Sequence, residues 1–258
     1  KTKFDLKTAV SLLGIYNKAA KKIPVVTDNF LAIDQRSYEQ STSQKVAQFK
    51  AKFIRGKHLL DLTAGIGIDS IFLSQNFEQI EAVEINKTLH QLASFNLKKL
   101  GITNVKRIHG DSFELLSGKL YDWIYIDPDR RINGKRAVDL NYLEPDVLGN
   151  LALIKKSASK VYIKLSPLFD LSEIARCFKQ LNAIYLIAEK NELKEVGVFI
   201  DYSIQSEVNN VTINLTDVSI DFSVEFSFDE YLTRKKHIYK TGYNKFLHTP
   251  SVLVAKSS

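Results

Sequence analysis

Four acidic residues, Asp61, Glu84, Asp111 and Asp127, stand at or just beyond the ends of short apolar runs in this 258-residue chain. The first is followed by Leu62-Thr63-Ala64-Gly65-Ile66-Gly67-Ile68-Asp69, so a strand reaches an acid, turns through two glycines and enters a helix at Asp69. Glycines let a backbone approach a ligand closely, and a helix start offers unpaired N–H donors. The acid narrows the choice of ligand. A dinucleotide site calls for a third glycine where this chain has Ser70, and Asp61 would repel a pyrophosphate. A cationic ligand suits it better. Glu84, at the tip of a second apolar run, is placed to accept both hydroxyls of a ribose. Asp127 precedes Pro128, and the carboxylate and carbonyl oxygens of that pair can accept hydrogen bonds from an amino group.

These residues need an open parallel sheet to bring them together. Residues 58–61, 79–86, 105–112 and 121–128 read as four strand units, with helices predicted over 69–76 and 87–100. The second helix turns Leu89, Leu92, Ala93, Leu97 and Leu100 inward. After Pro128 a polar stretch, 129–142, carries three Arg and one Lys and reads as an active-site loop. A helix over 143–157, a strand over 160–165, a helix over 170–182 and a hairpin of 183–189 with 194–202 complete seven strands, the last antiparallel. Upstream, helices are predicted over 4–22, ended by Pro24, and over 39–54, with Ser41 or Thr42 as N-cap. That pair is expected beside the sheet or over the mouth of the ligand site. Residues 211–215 and 220–228 alternate apolar and polar residues and read as half-buried strands.

The order and spacing of Asp61/Gly65/Gly67, Glu84, Asp111 and Asp127-Pro128 resemble the motifs of the Rossmann-like, class I S-adenosylmethionine-dependent methyltransferases over about residues 58–202. More narrowly, Ser37-Tyr38-Glu39-Gln40-Ser41-Thr42-Ser43, Asp127-Pro128-Asp129-Arg130-Arg131, Glu144-Pro145-Asp146 and Lys164-Leu165-Ser166-Pro167 resemble a little-characterised bacterial methyltransferase family. Members of that family carry a ferredoxin-like or THUMP-like C-terminal segment, THUMP being a module associated with RNA modification. The resemblance implies an α/β fold with a seven-stranded Rossmann-like sheet, a helical N-terminal extension and a small β-rich C-terminal subdomain. It also implies S-adenosyl-L-methionine as cofactor. Asp61, Thr63, Ala64, Gly65, Gly67 and Asp69 would surround its methionine portion, Glu84 and Ile85 the ribose and its neighbourhood, and Asp111 and Ser112 the adenine.

At the tip of the fourth strand, amino-group methyltransferases on bases carry Asp/Asn-Pro-Pro-aromatic, in which the aromatic stacks on a flipped base. This chain keeps Asp127 and Pro128 but has Asp129 and Arg130 in the last two places. The stacking face would then come from the Arg130 guanidinium or from Tyr142. Arg130 and Arg131 could instead grip a phosphate or carboxylate, or form a salt bridge with Asp129 that pins the loop. Lys164 either acts on substrate or pairs with Asp127 or Asp129. Asp-Pro-x-Arg also resembles carbon-5 uridine methyltransferases, but those need a cysteine nucleophile near the fifth strand. Cys177 lies on the following helix and reads as a packing residue, as Trp123 does in its strand. His58, His90, His109, His237 and His248 show no metal-ligand spacing, so no metal is expected.

Composition bounds the partners. The chain has one cysteine, which suits a reducing cytoplasm, and no run of eighteen apolar residues or apolar signal core, so neither membrane nor secretion is expected. It has no methionine. Residues 1–57 hold 12 Lys/Arg against 4 Asp/Glu, and residues 234–258 hold 6 against none, while residues 58–233 hold 18 against 25. Basic flanks around an acidic centre suit a polyanion, and RNA is the expected partner. The expected division is a basic helical extension (1–57), a methyltransferase domain (58–203) and a β-rich subdomain with basic tail (204–258). Two other functions stay open: a small-molecule or protein methyltransferase, and a catalytically silent cofactor-binding module that binds RNA.

Overall fold

Three strands in the N-terminal half pair in parallel, the central one rich in buried apolar residues. The computed structural model describes residues 6–116, 118–132, 135–136, 139–204, 211–220, 222–231, 248–249 and 252–253, with side chains described outside 6–12, 130–132, 135–136, 248–249 and 252–253. The chain divides into two units, Lys1–Ser112 and Phe113–Ser258. Residues 4 and 5 of the first predicted helix lie outside the described residues, as do His237 and most of the basic tail.

The first unit opens with helices α1 (Leu6–Lys22), α2 (Pro24–Asp28), α3 (Gln35–Gln40) and α4 (Gln44–Ala51). It continues through β1 (Gly56–Asp61), α5 (Ile68–Leu73), β2 (Phe77–Glu84), α6 (Lys87–Lys99) and β3 (Val105–His109). β2 lies between β1 and β3, parallel to both, with Asp61 opposite Ala82 and Glu84 opposite His109. The helix predicted over 39–54 is two helices, because side-chain oxygens start each one separately. Asp34 accepts from the Ser37 N–H at 2.7 Å, and Ser43, not Ser41 or Thr42, caps α4 by accepting from the Val46 N–H at 3.4 Å. Leu59, Leu60, Ile80 and Val83 are buried in the sheet.

The second unit runs through β4 (Tyr121–Ile126), β5 (Asp129–Ile132), β6 (Lys135–Arg136), β7 (Leu143–Glu144), α7 (Leu151–Ser157), β8 (Ala158–Leu165), α8 (Leu171–Cys177), β9 (Ala183–Glu189), β10 (Glu192–Asp201), β11 (Thr212–Asp217) and β12 (Phe222–Ser227), with a short pair, β13 (His248–Thr249) and β14 (Val252–Leu253). β4 and β8 are parallel, and β10 lies antiparallel between β8 and β9. β1–β4 and β8–β10 are the seven strands the sequence predicts. β11 then joins β9 in parallel, and β12 joins β11 antiparallel. Ile163, Val198, Ile184 and Ile213 form buried rows on this sheet, and α8 buries Leu171, Ile174 and Ala175.

The polar stretch expected as a loop contributes β5 and β6 to a small sheet of order β6-β5-β7. α7 starts at Leu151, not 143, because Leu143 and Glu144 pair with β5 and a turn follows. In that turn the Asp146 carboxylate accepts from the Gly149 N–H at 2.8 Å, and a Cβ on Gly149 would fall 2.2 Å from Asp146 Oδ2. The Glu144–Pro145 peptide is cis. α8 stops at Cys177, where Phe178 leaves helical geometry.

Candidate functional site

The first unit gathers its acids around the glycine turn. Asp61 ends β1 at 1% exposure, accepting from the Thr63 N–H at 3.1 Å and the Ser70 hydroxyl at 2.5 Å. The carboxylate therefore ties the start of the turn to the first turn of α5. Burial pushes its pKa up to about 7, while the two hydrogen bonds and the Arg107 charge pull it down and Asp69 adds to the rise. Gly65 and Gly67 both sit in the left-handed region, at φ 51° and 89°, where L side chains are strained. The Gly65 N–H donates to Glu84 Oε2 at 2.9 Å, and the Asn86 N–H donates to Oε1 at 2.7 Å. Glu84 thus joins the glycine turn to the start of α6, which Asn86 caps. Beside it Ile85 is 73% exposed, an apolar side chain held at the sheet's carboxyl edge. Asp111 is exposed and Ser112 buried just past β3.

Two residues of this site escape sequence reasoning. Arg107, on β3, donates from Nη2 to the Gly65 carbonyl at 2.8 Å. Burial lowers the pKa of its guanidinium, and the charges of Asp61 and Glu84 raise it. Its Nε and Nη1 are buried with no hydrogen-bond partner among the described residues. Two acids drawn into one turn call for a nearby cation, and that balance was the available signal. The other residue is Lys50, wholly buried on α4, whose ammonium meets Asp69 at 2.9 Å. The Thr42 hydroxyl donates to the same carboxylate at 2.7 Å. Lys50 lies four residues beyond Val46, within the apolar stripe of its helix, and a lysine in that register could have marked it. Thr63 and Ala64 lie in the turn itself, with the Ala64 N–H donating to the Val83 carbonyl at 2.8 Å.

The second unit brings Asp127 and Lys164 together. Asp127 follows β4, and Lys164 lies near the end of the parallel strand β8; Lys164 Nζ donates to Asp127 Oδ2 at 2.6 Å, with 14% of the Lys164 side chain and 34% of the Asp127 side chain exposed. The pairing of Lys164 with Asp127, one of its expected roles, is observed. Pro128 is buried, and Asp129 pairs across β5 and β7 with Glu144. Arg130 stands opposite Leu143 and Arg131 opposite Arg136 along the backbone, and their side chains lie outside the described ones. Tyr142 is exposed. Trp123 is buried against Phe199, as a core residue. Burial pushes the Cys177 thiol up, which disfavours the thiolate a nucleophile needs. Among the described residues no group of three or more His, Cys, Asp or Glu is placed to hold a metal ion, and no helix is long and apolar enough to cross a membrane.

No protein-family model and no curated protein matches the chain. It is similar to the M. capricolum protein TrmK in complex with S-adenosyl-homocysteine (17% identity, 63% of this chain, 70% of that one, TM-score 0.49). It is also similar to an rRNA methylase from Streptococcus thermophilus (16% identity, 60% of this chain, 93% of that one, TM-score 0.43). A fuller similarity, with a TM-score of 0.80 at 24% identity, joins it to a Porphyromonas gingivalis W83 protein provisionally assigned as a methyltransferase. That likeness covers 90% of this chain, which spans 61% of the other's length. Its extent shows the fold to be mixed α/β and Rossmann-like, of the methyltransferase type.

Proposed function

We propose that the chain is an S-adenosylmethionine-dependent methyltransferase acting on RNA, with an amino nitrogen of a tRNA or rRNA base as acceptor. The observation that carries this reading is Glu84. Each of its oxygens already accepts one backbone N–H, which fixes the carboxylate, and each keeps a lone pair for a ribose hydroxyl. The exposed Ile85 beside it offers an apolar face to an adenine. The fold, shared with the Porphyromonas gingivalis protein assigned to methyl transfer, supports the same reading.

The cofactor supplies a methyl group already activated by its sulfonium, so the protein's part is binding, alignment and proton removal. Asp61, Thr63, Ala64, Gly65 and Gly67 shape the turn around the methionine portion, and Asp69 holds the helix start. Asp111 and Ser112 serve the adenine. Asp127 and the Pro128 carbonyl accept from the target amino group, and Lys164 orients the Asp127 carboxylate. Asp129, Arg130 and Arg131 serve the substrate's approach. RNA is favoured by the basic flanks, with 12 Lys/Arg against 4 Asp/Glu in residues 1–57. Against a base as acceptor stand Asp129 and Arg130 where a proline and an aromatic would be, and these favour a small-molecule or protein acceptor as second reading.

The test is incubation with methyl-labelled cofactor and total RNA, followed by mass spectrometry of nucleosides. Label in one modified nucleoside is expected, falling about a hundredfold or more in Asp127→Ala. Label in protein or small molecules, with none in RNA, would move the reading to the second one. Absence of any calorimetric heat with S-adenosylhomocysteine would remove the cofactor itself.

A further inference from the structure

Away from the glycine turn, the first unit holds an aromatic ring in solvent by force. Phe30 is 72% exposed, and its backbone sits at φ 50°, a left-handed conformation that a bulky side chain rarely adopts. The chain on either side cannot relax to bury it. The Phe30 N–H donates to the Thr27 carbonyl at 3.2 Å, and the buried Leu31 donates to Val26 at 2.8 Å. The Tyr16 hydroxyl donates to the Leu31 carbonyl. The buried Asn96 side chain of α6 then grips Ala32 twice, accepting from its N–H and donating to its carbonyl, each at 2.8 Å. Lys99, one turn further along α6, donates to the Phe30 carbonyl at 2.8 Å and lies 5.7 Å from the centre of the Phe30 ring. Phe95 precedes Lys99 by one helical turn on the same side of α6 and is 54% exposed.

We propose that Phe30, Phe95 and Lys99 form a platform for single-stranded RNA, a contact separate from the residues assigned to cofactor and acceptor. For its partner it rests on the RNA reading above. A lone exposed aromatic is ordinary on a protein surface. Two of them around a lysine, one held outward against backbone strain, match what unpaired nucleic acid requires: ring faces for stacking and a cation for the phosphate. The charge agrees, since Phe30 belongs to the basic segment 1–57 and α6 ends in Lys98 and Lys99. A duplex hides its base faces and would leave both rings unused. An acidic protein surface would satisfy the lysine, and the test separates that case.

The full chain is titrated into a fluorescent twelve-nucleotide oligoadenylate, and into a duplex of the same length, at low salt. Tighter binding of the single strand is expected. Phe30→Gly weakens it about tenfold, as loss of one stacked base does, and Phe95→Ala weakens it similarly. The thermal midpoint of Phe30→Gly does not fall, because glycine is at ease at φ 50°. Wild-type affinity in both variants, no affinity in the wild type, or equal binding of duplex would overturn the platform, and a protein surface would then be its occupant. Calorimetry with S-adenosylhomocysteine on the same samples keeps the two readings apart. Heat of binding with unchanged oligonucleotide affinity sinks the platform alone, while absent heat with variant-sensitive RNA binding sinks only the methyltransferase.

Discussion

Asp61 and Lys50 show what burial does to single charges in the first unit. An aspartate in an unfolded chain titrates near ~3.9, whereas burial pushes Asp61 up to about 7 in the fold. Between those values the folded protein keeps a proton that the unfolded chain releases. Asp61 therefore costs stability as pH rises from about 4 to 7, and the cost levels off above that window. Asp61→Asn removes this titration. Unfolding by urea at a series of pH values should show the difference between variant and wild type moving in the variant's favour, by at most about 4 kcal/mol for the full separation. A difference that does not change with pH would contradict the assignment. Lys50 is a different case, a wholly buried side chain whose Nζ lies 2.9 Å from Asp69. Lys50→Ala leaves that carboxylate without its ion-pair partner, and a loss of about 3–5 kcal/mol is expected in the same unfolding measurement. Lys50→Met, which refills the volume but supplies no charge, should recover only part of it.

Two glycines separate backbone from packing at the level of the element. A Cβ on Gly67 would touch only Arg107 Nη1 at 3.7 Å and Ala93 at 3.9 Å, both ordinary contacts, so its constraint is the left-handed turn between β1 and α5. Gly67→Ala should cost about 1–2 kcal/mol through the backbone alone. On β10 a Cβ at Gly197 would fall 1.9 Å from the Tyr162 hydroxyl, which donates to the buried Glu195 at 3.0 Å. Tyr162 has no exposed surface and cannot swing aside, so Gly197→Ala should cost about 3 kcal/mol or more in denaturant unfolding. The Gly65/Gly67 turn was legible because a strand, an acid and two glycines leave few other conformations. Gly197 was not, because its reason is a side chain on another strand. The same distinction governs the elements. The apolar runs of β1, β2, β4 and β8–β10 are readable one strand at a time. The short pairs β5–β7 and the late start of α7 depend on cross-strand partners, such as Asp129 with Glu144, and on the Asp146–Gly149 turn. Neither has a periodic signature.

Across the whole chain, the residues assigned to the cofactor fall within Lys1–Ser112, and those assigned to the acceptor fall within Phe113–Ser258. That division yields an outcome that sequence motifs alone do not specify. A ligand that binds only the folded form stabilises what it touches by mass action, about 2.7 kcal/mol at a hundredfold excess over Kd. If Asp61, Gly65, Glu84 and Asp111 hold S-adenosylhomocysteine, its addition should slow amide hydrogen exchange in the glycine turn, at Ile85 and Asn86, and just past β3. The slowing should be deepest at the Gly65 and Asn86 amides, because their hydrogen bonds to Glu84 can open only if the ribose contact is released. Amides of β9, β11 and β12 serve as the internal reference and should keep their rates. Protection confined to the second unit would place the ligand on other residues. In Glu84→Gln the neutral amide can accept through only one of its two terminal atoms, so protection at one of those two amides should be lost even at saturating ligand. Equal protection of both amides in that variant would mean that Glu84 does not organise the site.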